Sequence, residues 1–124
     1  MPIKISPAEW EVLTVLWEKA PATAPEVFAA LANHAGWHQK TVNTFLTRLV
    51  KKGVLRVKRD GKTNVYAPLK SRAQCIKAES DNFLQRVFRG AFGPMLLHFV
   101  EQAELSPEEI RDLERLLKQK QKKK

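Results

Sequence analysis

A mainly α chain is predicted, in which three helices run into a β-hairpin and a second, helical segment follows. Three observations carry this. Hydroxyl caps stand three residues ahead of a Glu at Ser6–Glu9, Thr23–Glu26 and Ser106–Glu109, each with Pro in the first turn. An amphipathic stretch starting near Gln39 stops at Gly53 and gives way to two short strand-like runs around Asp60-Gly61. Beyond Pro68 the apolar spacing is helical, interrupted at Gly90, Gly93 and Pro94.

The capping pairs satisfy two orphan N–H groups reciprocally, and Pro in a first turn forfeits no needed donor. The first helix is predicted over about 7–19, with Glu11, Thr14 and Glu18 on a narrow outer face and Trp10, Leu13, Leu16 and Trp17 inward. A second helix over about 24–33 buries Val27, Phe28 and Leu31 and ends near Gly36. The third, over about 39–52, gathers Val42, Phe45, Leu46, Leu49 and Val50 on one arc at helical spacing.

The other arc of that third helix holds Lys40, Thr41, Asn43, Thr44, Thr47, Arg48, Lys51 and Lys52, without a single acid. A solvated helix face ordinarily mixes both signs of charge, as the last helix here does. Thr, Asn, Lys and Arg together suit phosphates and base edges. A plain exposed helix is the alternative, and the hairpin that follows disfavours it. Runs 54–59 and 63–67 flank Asp60-Gly61-Lys62, a strong hairpin signal. A two-residue loop sets Val57 against Asn64, a four-residue loop against Tyr66; the second keeps apolar partners together and is preferred. Either register places Arg56, Lys58, Arg59 and Lys62 near the tip of a basic hairpin. Three helices and then a basic hairpin is the order of a winged helix-turn-helix, here spanning residues 1–70.

Residues 71–124 are predicted to be a helical dimerisation domain with a basic tail. Ser71 caps a helix running to about Arg89, with Ile76, Ser80, Phe83, Leu84, Val87 and Phe88 on one face. A short apolar helix over 95–100 follows the break, and then one from Pro107 carrying Ile110, Leu113, Leu116 and Leu117. About 50 residues seldom close a core without a staple or a partner. These helices either fold back on their own N-terminal domain or associate with a second copy. Self-association is favoured, because an apolar stripe is left over after a domain that already looks complete. The interface is expected to rest on Phe83, Leu84, Val87, Phe88, Met95, Leu96, Phe99, Leu113 and Leu116.

The whole chain has 124 residues, 44% of them hydrophobic, which is enough for one compact domain or a small one with an appendage. Its net charge of +9 favours a polyanionic partner, although residues 118–124, KQKQKKK, account for part of it as a solvated end. No run approaches the roughly 18 apolar residues of a membrane span, and residues 1–6 lack the apolar core of a signal peptide. One cysteine, Cys75, excludes an internal disulfide. A cytoplasmic location is expected.

Catalysis finds no support. His34, His38 and His98 are scattered, with no HxxxH, CxxC or HExxH spacing, no glycine-rich phosphate loop and no nucleophile elbow. No metal and no cofactor are therefore expected. His38, just ahead of the third helix, either caps it or touches phosphate, with capping preferred. Cys75 is placed on the less apolar side of its helix, where packing is a better reading than a redox switch despite nearby Arg72 and Lys77.

From end to end the chain resembles the penicillinase and methicillin-resistance repressor family. Residues 5–13, ISPAEWEVL, with Leu16-Trp17, look like its first helix. Residues 40–53, KTVNTFLTRLVKKG, are similar to its recognition-helix pattern K-T-[IV]-x-T-x-[IL]-x-R-L-x-x-K-G, and Tyr66 and Pro68 fit its wing. The resemblance implies a homodimeric repressor of nearby genes that binds a palindromic operator in double-stranded DNA. Its DNA contacts are then expected from Lys40, Thr41, Asn43, Thr44, Thr47, Arg48 and Lys51 on the helix and from Arg56, Arg59 and Lys62 on the wing. In beta-lactam-responsive members a membrane sensor-protease triggers cleavage within the dimerisation domain. The matching bond joins His98 and Phe99, and it is expected to be helical and largely buried. The best-known members carry Asn ahead of that Phe and Arg in place of Asn43. Copper-responsive relatives end in a cysteine-rich metal motif that this tail lacks. A winged helix serving protein or RNA contacts is the competing reading. The acid-free face argues against protein, and the absence of exposed stacking aromatics argues against single strands.

Overall fold

The computed structural model describes residues 3–32 and 36–122. Asn33, the expected end of the second helix, and His34 lie outside these residues. Two compact units are formed, Met1–Asn82 and Phe83–Lys124.

In the first unit α1 spans Pro7–Lys19, β1 Ala22–Thr23, α2 Ala24–Ala30, α3 Gln39–Lys51, β2 Leu55–Asp60 and β3 Thr63–Pro68. The cap grammar explains the starts. Ser6 Oγ accepts Glu9 N–H while Glu9 Oε1 accepts Ser6 N–H, and Thr23 and Glu26 repeat the exchange at α2. Three helices close over one core, in which Val12, Leu13, Leu16, Val27, Val42, Leu46, Leu49 and Val54 are fully buried. Trp10 and Trp17 are half-buried rather than core, meeting edge to face at 5.5 Å, and the Trp17 indole donates to the Lys70 carbonyl at 3.1 Å. Phe28 is likewise half-buried, whereas Leu31 is buried as the α2 C-cap.

The sheet is antiparallel in the order β1-β3-β2. Val57 faces Tyr66, the preferred register, but the ladder continues to Asp60↔Thr63, so the loop is only Gly61-Lys62. Gly61 makes this possible with φ +65°, the left-handed region a tight two-residue hairpin loop requires. Strand β1 was not expected: Ala22 and Thr23 pair with Tyr66 and Val65, between α1 and α2.

The first unit also reaches beyond the expected boundary at residue 70, ending inside α4, Arg72–Phe88. Ser71 and Gln74 form a capping pair at the start of this helix. Cys75 is fully buried against the first unit, contrary to its expected place on the less apolar side. The reason is a second inward arc. Cys75, Ala78 and Asn82 fall on one line, while Ile76, Phe83 and Val87 lie roughly 100° away at 3.6 residues per turn. Burial pushes the Cys75 thiol up, partly offset by the charge of Lys70.

In the second unit the end of α4 is followed by α5, Phe92–Gln102, and α6, Pro107–Lys122. Arg89 at φ 51° and Gly90 at φ 86° turn the chain, with Gly90 N–H donating to the Leu84 carbonyl. The expected break was too long. Gly93 and Pro94 lie in the first turn of α5, where proline lacks no bonded donor. Phe83 stacks on Phe99 at 5.8 Å, Phe88 meets both at 6.0 and 6.4 Å, and the Arg86 guanidinium sits 5.7 Å above Phe83. No described residue of α5 or α6 is fully buried. Val87, Phe92, Leu97, Phe99, Ile110, Leu116 and Leu117 are exposed, whereas Phe83, Leu84, Phe88, Met95, Leu96 and Leu113 are half-buried. His98 and Phe99 are helical as expected but exposed in the single chain, because the few rings they meet, Phe88 for His98 and Phe83 and Phe88 for Phe99, leave the rest of each side chain uncovered.

Candidate nucleic-acid interface

Helix α3 is seated by Val42, Leu46 and Leu49, none of which retains any exposure, with Phe45 and Val50 half-buried beside them. Trp37, just ahead of the helix, meets Phe45 edge to face at 5.3 Å. Burying that arc forces the opposite one outward. Lys40, Asn43, Thr44, Thr47, Arg48 and Lys51 are all exposed and line one shallow surface depression. Thr41 is half-buried at the edge of this set.

Several polar groups here are held in place. Thr44 Oγ1 donates to the Lys40 carbonyl at 3.1 Å and Thr47 Oγ1 to the Asn43 carbonyl at 3.0 Å. Both hydroxyl protons therefore point back along the helix, and the oxygen lone pairs remain available as acceptors. Gln39 Nε2 donates to Asn43 Oδ1 at 3.0 Å, which commits the carbonyl end of that amide. His38 is the N-cap by backbone geometry, its carbonyl accepting from Thr41 and Val42 N–H, but its imidazole makes no cap bond. Side-chain capping by His38, the preferred expectation, is not what the structure has; the imidazole is exposed and gives the first-turn N–H groups no acceptor.

The wing supplies the second group of cations. Arg56, Lys58, Arg59 and Lys62 are exposed, and Arg59 Nε donates to the Gly61 carbonyl at 3.2 Å, two residues on at the start of the loop. Strand alternation puts Arg56 and Lys58 on one face and Arg59 on the other.

Lys52 departs from the expected face. Its Nζ is 2.6 Å from Glu9 Oε1 and 2.6 Å from the Lys4 carbonyl. Glu9 is buried, which sequence reading missed because its cap role already explained it. Burial pushes its carboxyl up, yet the bonds from Lys52 and Ser6 prevail and hold it below its ordinary value of 4.5.

The family model described as penicillinase repressor matches residues 5–119. This chain belongs to the penicillinase repressor family. The methicillin resistance regulatory protein MecI of Staphylococcus aureus is 37% identical over 117 residues, covering 94% of this chain and 95% of MecI. The penicillinase repressor of Bacillus licheniformis is 37% identical over 116 residues, covering 94% and 91%. Among solved structures, the monomeric form of Bacillus licheniformis BlaI in complex with the blaP half-operator matches with a TM-score of 0.52. It shares 35% identity, covering 60% of this chain and 90% of that one. As a penicillinase repressor the chain is a DNA-binding transcriptional repressor with a winged helix-turn-helix fold, not an enzyme. No described helix of this repressor is long and apolar enough to cross a membrane.

The Glu9 carboxylate has a measurable consequence. Its folded value lies below the unfolded one, so its stabilisation is complete above about pH 4.5 and is lost as pH falls through the folded value. Thermal unfolding followed from pH 7 to pH 3 is expected to show a shallower acid-side decline in Glu9→Gln than in the parent. An equally steep decline would assign the acid sensitivity to other carboxylates.

Proposed function

We propose that this repressor acts as a homodimer on a palindromic operator, with α3 in the major groove and the wing on the flanking backbone or minor groove. The observation that carries this is the acid-free exposed arc of α3, adjoining in sequence a hairpin with four exposed cations. Arg48, Thr41, Asn43 and Thr44 are placed to approach base edges. With its Oδ1 engaged by Gln39, Asn43 offers its NH2 as a donor, which suits purine acceptors or thymine O4. Thr47, Lys40 and Lys51 face phosphates, and Arg56, Arg59 and Lys62 extend the positive field along the duplex, with Lys58 adding to it. BlaI was solved as a monomer on a half-operator. One winged unit per half-site is the matching arrangement here, and a two-fold dimer then reads two half-sites separated by whole helical turns.

Arg48→Ala is expected to cost about 1–3 kcal/mol of operator affinity and to relax preference at one base position, while Lys51→Ala weakens all sequences and lowers the salt slope by about one. The measurement is a gel shift on duplexes from the gene's own upstream region at several salt concentrations. Unaltered binding by both variants would remove α3 as the reading helix.

Dimerisation is placed in the second unit. Phe99, Leu116 and Val87 expose apolar surface that a second copy would cover, with Phe83, Leu84, Phe88, Met95, Leu96 and Leu113 behind them. Leu97, 62% exposed, and Phe92, 57% exposed, are further uncovered apolar side chains of α5. Replacing Phe99 and Leu116 together by Asp is expected to give a folded monomer by sedimentation with weak operator binding, since two tethered winged units reinforce each other's occupancy. A dimer persisting at micromolar concentration would overturn the placement.

Release is proposed to follow cleavage between His98 and Phe99 by a membrane sensor-protease. Cutting there separates α4 from part of α5 and all of α6, and removes Phe99 from the ring cluster. The bond lies within the α5 helix, so a protease must first unwind about one turn. Immunoblots of cells exposed to a beta-lactam should show a fragment ending at His98 appearing as target genes switch on. Induction with only intact repressor present would exclude this route.

A further inference from the structure

By sequence Lys52 looks like one more phosphate-facing cation, and by geometry it is already committed. It is the C-cap of α3. Its ammonium donates to Glu9 Oε1 on α1 and to the Lys4 carbonyl in the extended segment ahead of α1. One residue earlier, the Ile3 carbonyl accepts Asn82 Nδ2 from α4 at 2.7 Å. Residues 3–5 are thus a strap bonded on one side to the end of α3 and on the other to α4.

The apolar seat of α3 is non-directional and roughly proportional to area, so it resists lifting the helix off the core more than it resists sliding or rolling the helix by a fraction of an ångström. The opposite end of α3 has no side-chain cap from His38. A charge-assisted bond at a fixed end is directional. A carboxylate that is 1% exposed costs desolvation, and a buried ion pair is in general weak as a source of stability compared with apolar packing. What such a pair adds most clearly is a unique geometry.

The geometry points to Glu9 and Lys52 as positioning residues for operator reading: their ion pair, with the Lys4 carbonyl, fixes where the C-terminal end of α3 sits, and neither side chain contacts DNA. The inference rests on α3 being the reading helix. It assigns a role to the Lys that the family's recognition-helix pattern places just before its glycine.

Charge arithmetic gives the test its sign. Glu9→Gln raises the net charge by one, so electrostatics alone predicts tighter DNA binding. A positioning role predicts weaker operator binding, by about tenfold, comparable with one lost base contact, with no fall in affinity for an unrelated duplex of equal length. The glutamine keeps an oxygen for the Ser6 N–H, so the α1 cap survives, while the negative charge that holds the Lys52 ammonium on that same oxygen is removed. Lys52→Met should weaken the operator complex similarly with an unchanged salt slope, and Lys52→Arg should restore most of the affinity. Binding is read by fluorescence anisotropy across a salt series, at temperatures where circular dichroism shows each variant folded. Operator affinity in Glu9→Gln equal to or above the parent's overturns the proposal, as does a salt slope lowered by about one in Lys52→Met, which would make Lys52 a phosphate contact. Should the unaltered protein not distinguish operator from unrelated duplex, the reading of α3 itself fails, and that control separates the two failures.

Discussion

Everything the N-terminal unit does depends on burying one arc of α3 while leaving the other bare. Val42, Leu46 and Leu49 give up all their exposure to hold the helix, and the spacing that buries them is the spacing that projects Lys40, Asn43, Thr44, Thr47, Arg48 and Lys51 outward. The packing of α3 and the make-up of its bare face are therefore not independent properties here. Any shift in how α3 meets α1 and α2 is a shift in the surface it exposes. The two threonine hydroxyls illustrate the economy of the arrangement, because bonding back to carbonyls one turn earlier leaves them with a defined acceptor direction.

Helix α4 carries a comparable double obligation. Its Cys75 arc completes the core of the first unit, whereas Phe83 and Phe88 build the ring cluster of the second. A domain boundary consequently falls inside a helix and not in a loop. The second unit, with helices that bury none of their described residues completely, has the character of half a core. Helical segments this short seldom close a core of their own.

Local grammar was the most legible part of the sequence. The bounds of α1 follow from Ser6, Pro7 and Glu9, and the Val57↔Tyr66 register follows from keeping apolar partners together. The exposed arc of α3 was legible from helical periodicity alone. What escaped was non-local or very short. The two residues of β1 are too few for any period to register. The Glu9–Lys52 pair joins positions 43 apart, and each already had a sufficient local explanation. Cys75 escaped because one helix carries two inward arcs, and a single apolar stripe accounts for only one of them. By sequence Pro94 reads as a breaker, although in a first turn it is compatible with the helix that contains it.

The placement of the aromatic side chains has an optical consequence. All three tryptophans, Trp10, Trp17 and Trp37, and the one tyrosine, Tyr66, belong to the N-terminal unit, while the second unit has only phenylalanines as chromophoric rings. Trp10 and Trp17 lie in edge-to-face contact on α1, and Trp37 packs on Phe45 of α3. Intrinsic emission excited near 295 nm thus reports on one unit and is silent about the other. Events confined to the second unit and unfolding of the winged unit would separate spectroscopically in the unlabelled protein, and Trp37 gives α3 its own reporter.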